Sequence, residues 1–313
     1  MIVLGSIDNM KQSYDLVGDI HGQAPALIRL LKELSYEEVN GVYQHNSRIL
    51  IFLGDFVDRG DYQKEVIDIV RPMIEEGHAL SVMGNHEYNA ITYYTKGKNG
   101  DYLRSHSDKH TKQHQSFLDA YDDNPKEKVS VIEWFKTLPL WLDLEGLRVI
   151  HACWDSGLIN KLGSNKLTDD VLIKSAIKGS FEYEAIETLL KGKEIPLPAG
   201  YSFNDKDGNP RSHIRIKYWL QDAVTYREYF MGPSSVLDLI PDAPVEGDYL
   251  INYGIDEKPL FLGHYWMEGD IKPLTENIAC IDYSVAKVGG KLVAYRWDGE
   301  QAIDTDGFVF VDR

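Results

Sequence analysis

Three short runs of the sequence combine carboxylate, imidazole and amide side chains in a spacing suited to metal chemistry. Each follows directly after an apolar segment, and together they are Gly18-Asp19-Ile20-His21-Gly22, Gly54-Asp55-Phe56-Val57-Asp58-Arg59-Gly60 and Gly84-Asn85-His86-Glu87. Two isolated histidines, His151 and His264, follow apolar segments in the same way. Side chains at strand ends converge at one edge of a sheet, and mixed oxygen and nitrogen ligands suit borderline divalent metals. Because one shared carboxylate can bridge two cations, the pattern predicts a site that holds two metal ions over a phosphate.

The three runs carry more weight together than separately. An Asp-x-His triplet or a Gly-Asn-His-Glu run alone is more often a turn than a ligand set, whereas the Gly-Asp-x-x-Asp-Arg-Gly run is more specific. Here all three occur in order, each behind an apolar run, with the two histidines downstream. We therefore favour a metal site over a series of unrelated turns.

This order of motifs resembles that of the calcineurin-like metallophosphoesterases. Within that superfamily it is similar to the phosphoprotein-phosphatase branch, which includes serine/threonine phosphatases and diadenosine tetraphosphatase-like enzymes of bacterial or phage type. The resemblance extends from Asp19 to about Gly290. It implies that two divalent ions share Asp55 and that a hydroxide bridging them attacks phosphorus. The implied ligands are Asp19, His21 and Asp55 for one metal, and Asp55, Asn85, His151 and His264 for the other.

The same resemblance implies three catalytic residues. His86 is the implied general acid, Asp58 its orienting partner and Arg59 a phosphate clamp. Residue chemistry supports these roles, because a leaving alkoxide needs a proton, a carboxylate can orient an imidazole, and a guanidinium binds phosphoryl oxygens in a bidentate manner. Asp58 has an alternative interpretation as a turn-forming residue before Arg59 and Gly60.

Strand and helix patterns alternate around these motifs. Strands are predicted at 14–17, 49–53 and 80–83, and helices with apolar residues at helical spacing at 24–34 and 63–76. Later strands are predicted at 277–282, 291–297 and 307–311, and they indicate a second, largely antiparallel sheet. The family resemblance implies an α/β fold, a four-layer αββα sandwich of two mixed β-sheets flanked by helices, with the dinuclear metal site at strand ends.

We expect a single metallophosphoesterase domain over residues 1–313, with specificity insertions at about 88–139 and 155–257. The first insertion contains His106, His110 and His114 at four-residue spacing. Such a series can bind a metal on a helix, but the surrounding sequence is polar, so we favour a solvated helix face. The second insertion is rich in aromatic residues, a few of which could receive a phosphotyrosine ring or a nucleobase.

Composition limits the cellular setting and the partners. The formal net charge of −16 argues against extended nucleic acid, whose binding depends on Lys and Arg, but not against a short phosphorylated substrate held by metals. No run of about 18 apolar residues occurs, and residues 1–6 lack the pattern of a secretory signal, so we expect a cytoplasmic protein without membrane contact. Cys153 and Cys280 are expected to be buried free thiols, with a metal-proximal Cys153 as the alternative.

The substrate prediction starts from phosphomonoesters, including phosphorylated Ser, Thr or Tyr in proteins, with Arg59 and Asn85 as binding residues. The alternative is phosphodiester or pyrophosphate hydrolysis in dinucleoside polyphosphates, cyclic nucleotides or RNA ends. A non-catalytic binding module of the same fold is a third class. Protein phosphatases place a second arginine over the phosphate, and Arg211 and Arg215 are the candidates here, with surface charge as the simplest alternative for both. Manganese is the expected metal, and Fe, Zn and Ni accept the same ligands.

Overall fold

A computed structural model describes residues 12–204 and 208–313. The expectation drawn from residues 1–6 lies outside these ranges. The strands are β1 (Ser13–Val17), β2 (Glu37–Val39), β3 (Val42–Gln44), β4 (Arg48–Phe52), β5 (Ala79–Ser81), β6 (Trp141–Asp143), β7 (Arg148–Ile150), β8 (Glu194–Pro196), β9 (Phe203–Asn204), β10 (Pro210–Arg211), β11 (His213–Arg215), β12 (Leu260–Leu262), β13 (Ile278–Cys280), β14 (Asp282–Tyr283), β15 (Lys291–Trp297) and β16 (Phe308–Asp312).

Ten α-helices lie within the described residues. They are α1 (Ala24–Glu33), α2 (Gln63–Glu75), α3 (Asn85–Tyr94), α4 (Asp108–Gln113), α5 (Gln115–Tyr121), α6 (Pro125–Phe135), α7 (Ser156–Leu162), α8 (Asp169–Ser175), α9 (Phe181–Lys191) and α10 (Tyr226–Tyr229), with 3-10 turns at Ser234–Leu239 and Thr305–Gly307. None of the helices in the described ranges has the length and apolar character needed to cross a membrane.

Two mixed sheets form the centre of the molecule. In the six-stranded sheet the order is β14-β15-β1-β4-β5, with β16 on the other edge of β15. Strands β1, β4 and β5 are parallel, whereas β15 is antiparallel to β1, β14 and β16. The four-stranded sheet has the order β13-β12-β7-β6, in which β12 is parallel to both neighbours and β6 is antiparallel to β7. Each sheet therefore contributes parallel strands whose carboxyl ends share one edge.

The alternation of side chains along the strands separates two hydrophobic layers. Leu16, Ile51, Val149 and Phe261 belong to a core cluster that draws on both sheets. Their neighbours along the strands face outward, where α1 and α2 contact the six-stranded sheet. On the other sheet, the chain just after β7 bonds to α9, since the amide of Ala152 donates to the Leu189 carbonyl at 3.1 Å. Helices thus flank a sandwich of two sheets.

This arrangement confirms the predicted fold class, and both predicted helices after the first two motifs end within a residue of the observed ones. The prediction that the late strands make a separate antiparallel sheet is wrong. β13 pairs in parallel with β12, whereas β14, β15 and β16 belong to the sheet that contains β1. The chain crosses between sheets at Ile281, whose amide donates to Leu262 while the next residue pairs with Leu292. Cys153 and Cys280 are buried free thiols, as expected.

Packing between the sheets should dominate stability, and Phe261 provides a test. It is fully buried and its ring centroid lies 5.1 Å from that of Tyr295 in the opposite sheet. Phe261→Ala is expected to lower the free energy of unfolding by about 3–5 kcal/mol, because it removes apolar contacts and leaves a cavity. Urea denaturation measures this, with Phe310→Ala as the control. Phe310 is 46% exposed, so its loss should change stability by only about 0.5 kcal/mol. Equal effects would contradict the assignment of the core.

Candidate active site

Polar residues that follow five strands meet at one edge of the sandwich. The ends of β1, β4 and β5 lie side by side, and those of β7 and β12 face them from the other sheet. The residues at these ends are Asp19 and His21 after β1, Asp55 after β4, Asn85 and His86 after β5, His151 after β7 and His264 after β12. All are buried except His264, which is partly exposed. The structure therefore places every predicted metal ligand in one cluster.

The carboxylate of Asp55 lies at the centre of this cluster. Its Oδ2 is 3.6 Å from His21 Nε2, 3.5 Å from His151 Nε2 and 3.9 Å from His86 Nε2. Two sets of three residues could each hold a metal ion, because within each set the ligand atoms lie within 4.8 Å of one another. One set is His21, Asp55 and His86, and the other is Asp55, His151 and His264. Because both groups contain Asp55, one carboxylate stands between two sets of nitrogen donors.

Asp19 and Asn85 border the same space. Asp19 Oδ2 is 3.9 Å from His21 Nε2, and the two Asp19 oxygens accept the amide of His264 at 3.3 and 3.2 Å. Asn85 Oδ1 lies 3.0 Å from His151 Nε2 and 2.7 Å from His264 Nδ1. Asp19 and Asn85 thus provide two further oxygen ligands for this space.

One buried imidazole nitrogen indicates that the cluster fits a metal. His21 Nδ1 lies 3.0 Å from the Val57 carbonyl and donates to it, which leaves Nε2 as the acceptor. That Nε2 atom is buried without a hydrogen-bond partner and faces Asp55. Burial and the neighbouring His86 lower the pKa of His21 to about 3, so the ring is neutral and its lone pair is free. A metal ligand needs this state.

The charges in the cluster also fit a divalent cation. Burial, together with Asp282 nearby, raises the pKa of Asp19 well above its ordinary value. Burial alone would lower the pKa of His151, but the carboxylates of Asp55 and Asp19 raise it to about 10. The carboxyl groups of Asp19, Asp55 and Asp282 are therefore buried close together, where it is unfavourable for all three to be anions. Divalent cations would compensate their negative charge, since metal binding displaces ligand protons.

The backbone that carries these side chains adopts a rare conformation. His21, Asp55, Asp58, Arg59 and His264 have positive φ angles of 47°, 51°, 68°, 74° and 70°. Non-glycine residues pay a steric penalty in this region, which persists only where the surroundings fix the chain. Site residues make up most of the positive-φ non-glycine residues in the described ranges. Strain is therefore concentrated at the site.

Glu87 fixes the loop after β4 to the start of α3. Its carboxylate accepts the amides of Asp55 and Phe56 at 2.8 Å each and that of Gly84 at 3.0 Å. Gly84 is required because an added Cβ would lie 2.2 Å from Asp55 Oδ1. Sequence analysis assigned Glu87 no role, although a glutamate three residues after the helix N-cap is a recognisable capping signal.

Asp58 joins two histidines. Its Oδ2 lies 2.6 Å from His86 Nδ1 and its Oδ1 lies 2.8 Å from His114 Nδ1. Its amide donates to Gln63 Oε1 at 2.7 Å. Burial would raise the pKa of Asp58, but His114 and His86 hold it well below its usual range. The buried, paired side chain does more than form a turn, because it holds the His86 ring with Nε2 directed toward Asp55.

The involvement of His114 corrects the prediction for the first insertion. The three histidines do not share a helix face, because α4 starts after His106 and ends before His114. His106 stacks on Tyr93 at 3.8 Å, and His110 bonds to Ser105. His114 is buried rather than solvated. Four-residue spacing gave no signal for its contact with Asp58, which depends on tertiary packing.

Arg59 and Arg215 both contact histidines of the site. The Arg59 guanidinium lies 3.7 Å above the Trp266 ring, and Nη2 is 3.4 Å from His86 Nε2. Arg215 Nη1 is 3.2 Å from His264 Nε2. Arg211, the other candidate, is exposed in β10, where it pairs with β9. The geometry thus distinguishes Arg215 from Arg211, which the sequence did not.

Sequence comparison assigns the chain to a family. The family model for calcineurin-like phosphoesterases matches residues 14–239, and the chain belongs to that family. The chain is 33% identical over 172 residues to a bis(5'-nucleosyl)-tetraphosphatase PrpE [asymmetrical] of Oceanobacillus iheyensis, covering 54% of this chain and 66% of the relative. It is 41% identical over 86 residues to the Bacillus subtilis protein of the same name, covering 27% and 35%. The chain thus spans less than two thirds of the length of these relatives.

A solved structure shares the fold. A Saccharomyces cerevisiae protein serine/threonine phosphatase with similarity to human phosphatase PP5 aligns over 97% of this chain and 80% of its own, with a TM-score of 0.52 and 16% identity. The predicted family is therefore confirmed by its sequence model, and the predicted fold by this structural likeness.

Removing the Asp55 carboxylate is expected to abolish tight binding of both metals, because each ligand group loses its shared member. Asp55→Ala should therefore retain fewer than two metal ions per chain after dialysis, as measured by elemental mass spectrometry. Asp122→Ala, an exposed position, serves as the control and should keep the wild-type content. Two tightly bound ions in Asp55→Ala would remove Asp55 from the proposed bridging position.

Loss of His114 is expected to weaken the hold of Asp58 on His86. His114→Asn should lower kcat by about ten- to hundredfold on a substrate with a poor leaving group, the scale of a buried hydrogen bond to a charged group. The fall should be much smaller for p-nitrophenyl phosphate, whose leaving group needs little protonation.

The matched control is His106→Asn, which removes a histidine of the same segment that packs against Tyr93 rather than Asp58. Its kcat should depend on the leaving group as the wild type does. An equal fall on both substrates in His114→Asn would show that His114 supports only the local fold.

Proposed function

We propose that this chain is a dinuclear metal-dependent hydrolase that cleaves phosphoanhydride bonds in dinucleoside polyphosphates. The observation that carries the catalytic part is the position of the Asp55 carboxylate between His21 and His151, beside the oriented ring of His86. The substrate part is supported by the names of the relatives, which are bis(5'-nucleosyl)-tetraphosphatases. These favour the phosphoanhydride alternative over phosphomonoester hydrolysis as the physiological reaction.

The metal ions would be held by the strand-end side chains, namely Asp19, His21, Asp55, Asn85, His151 and His264. We propose Mn²⁺ as the native ion, with Fe, Zn or Ni able to occupy the same donors. When bound, such ions supply Lewis acidity toward phosphoryl oxygens and lower the pKa of water.

The protein groups around this centre position the substrate. The Arg59 guanidinium lies over the Trp266 ring, and its Nη2 atom is 3.4 Å from His86 Nε2. A planar guanidinium binds two phosphoryl oxygens at once and stabilises the negative charge that gathers on them. Arg215 supplies a second cation beside His264. We propose that both arginines contact the attacked phosphoryl group.

Hydrolysis forms one bond from water oxygen to phosphorus and breaks the bond from phosphorus to the leaving oxygen. His86 carries the proton that the leaving oxygen can take, because Asp58 fixes Nδ1 and leaves Nε2 toward the site. Burial would lower the pKa of His86, but Asp55 and Asp58 raise it above its ordinary value, which favours the protonated ring. Dependence on this proton grows with the basicity of the leaving group.

A direct comparison of substrates tests the assignment. With Mn²⁺ present, the wild type should have a kcat/KM for diadenosine tetraphosphate that exceeds those for a phosphoserine peptide and p-nitrophenyl phosphate by about tenfold or more, or roughly 1.4 kcal/mol. Chelation of the metal should abolish all three activities. A higher kcat/KM for the phosphopeptide would instead favour phosphomonoester hydrolysis.

The His86→Asn variant separates acid catalysis from metal binding in the same assay. It should keep its metal and lose about 10²–10⁴-fold in kcat on the phosphopeptide, whose serine alkoxide is a poor leaving group. The loss should be smaller on the dinucleotide, whose leaving group is a phosphate anion. Loss of metal in this variant would assign His86 to the ligand set instead.

A further inference from the structure

A cationic cavity opens beside the proposed acid. It has a volume of about 620 Å³ and its walls include His86 and Asn85. Five basic side chains line it, and none of its lining side chains in the described ranges is acidic. They are Arg59, Arg104, Lys109, Lys112 and Lys191.

This clustering of positive charge runs against the composition of the chain. The sequence has 49 acidic and 33 basic side chains, with a formal net charge of −16. Near the cavity, Arg104 donates to the neutral Gln113 at 3.0 Å, and Lys191 pairs with Glu187. Like charges at short range are unfavourable unless an anion fills the space between them. The cavity is thus suited to a ligand with several negative charges.

The basic residues come from elements that surround the catalytic centre. Arg104, Lys109 and Lys112 belong to the predicted insertion at 88–139, whereas Lys191 is the last residue of α9. The insertion is fixed against the centre because His114 bonds to Asp58. The basic cavity therefore adjoins the space next to His86.

We propose that this cavity is a subsite for a polyphosphate chain, in which Arg104, Lys109, Lys112 and Lys191 bind the phosphates beyond the one that is attacked. The inference rests on the proposed function, whose substrates carry several consecutive phosphates. It goes further because it assigns their recognition to residues outside the metal cluster.

The lining favours a polyphosphate over a phosphopeptide. A peptide needs apolar contacts for its side chains and partners for its backbone. Among the residues that the structure describes, no aliphatic or large aromatic side chain lines the cavity. Lysines act as point charges for phosphates, and Arg104 adds a planar fork. Consecutive phosphates match this density of cations, while a phosphopeptide has one phosphate at each modified residue.

The test variant is Lys109→Gln/Lys112→Gln, since both lysines are exposed and can change without disturbing the core. The control is Lys126→Gln/Lys178→Gln, which removes the same charge from exposed positions outside the cavity. Calorimetry at a fixed free Mn²⁺ concentration measures binding of inorganic tripolyphosphate and of orthophosphate. Wild type and control should bind tripolyphosphate more tightly than orthophosphate. The test variant should lose about tenfold or more of its tripolyphosphate affinity and less of its orthophosphate affinity.

The subsite is overturned if the wild type binds both anions equally, if the test variant binds tripolyphosphate as the control does, or if a phosphoserine peptide binds more tightly than tripolyphosphate. Kinetics with diadenosine tetraphosphate separate this failure from failure of the proposed function. If the wild type cleaves the dinucleotide and the test variant has the same kcat/KM as the control, the proposed function stands and the subsite is rejected. If the wild type does not cleave the dinucleotide but binds tripolyphosphate as expected, the proposed function is rejected and the subsite stands.

Discussion

The position of one buried carboxylate constrains the rest of the structure. Asp55 presents its Oδ2 atom to His21 and to His151, which follow strands of different sheets. The two sheets must therefore meet with their strand ends in a fixed relation, which the core between them maintains. Glu87 and Gly84 set the direction of the carboxylate locally, through three amide hydrogen bonds and the space left by a missing Cβ.

The net charge of the whole chain and the charge of the residues that line the cavity have opposite signs. Over the whole chain the formal net charge is −16, which repels polyanions at a distance. At the site, Arg59 and Arg215 face the cluster, and the neighbouring cavity is basic. Screening limits the range of the surface charges to about 8–10 Å at ordinary salt, so a short anion close to the cavity experiences mainly the local cations.

Local patterns in the sequence were sufficient to predict the motifs and the elements that carry them. Apolar runs in the sequence locate β1 and β4. The positions of Asp19 and Asp55 follow from this, because a residue just after a strand lies within a few ångströms of the strand's end. The separation of β13 from β15 was not predictable, since strands with the same alternation can pair in either sheet. The contacts of His114 and Arg215 were also beyond reach, because no local pattern encodes contacts made across long sequence separations.

The shared carboxylate of Asp58 links two parts of the chain that differ in their freedom to change. His86 belongs to the motif proposed to carry the chemistry, whereas His114 belongs to the predicted insertion, several residues of which line the cavity. A change in this segment that alters the cavity would therefore also affect the orientation of His86, the proposed proton donor. The proposed subsite and the proposed acid thus depend on the same segment, and a replacement segment would have to supply a new partner for Asp58 in order to keep the position of His86.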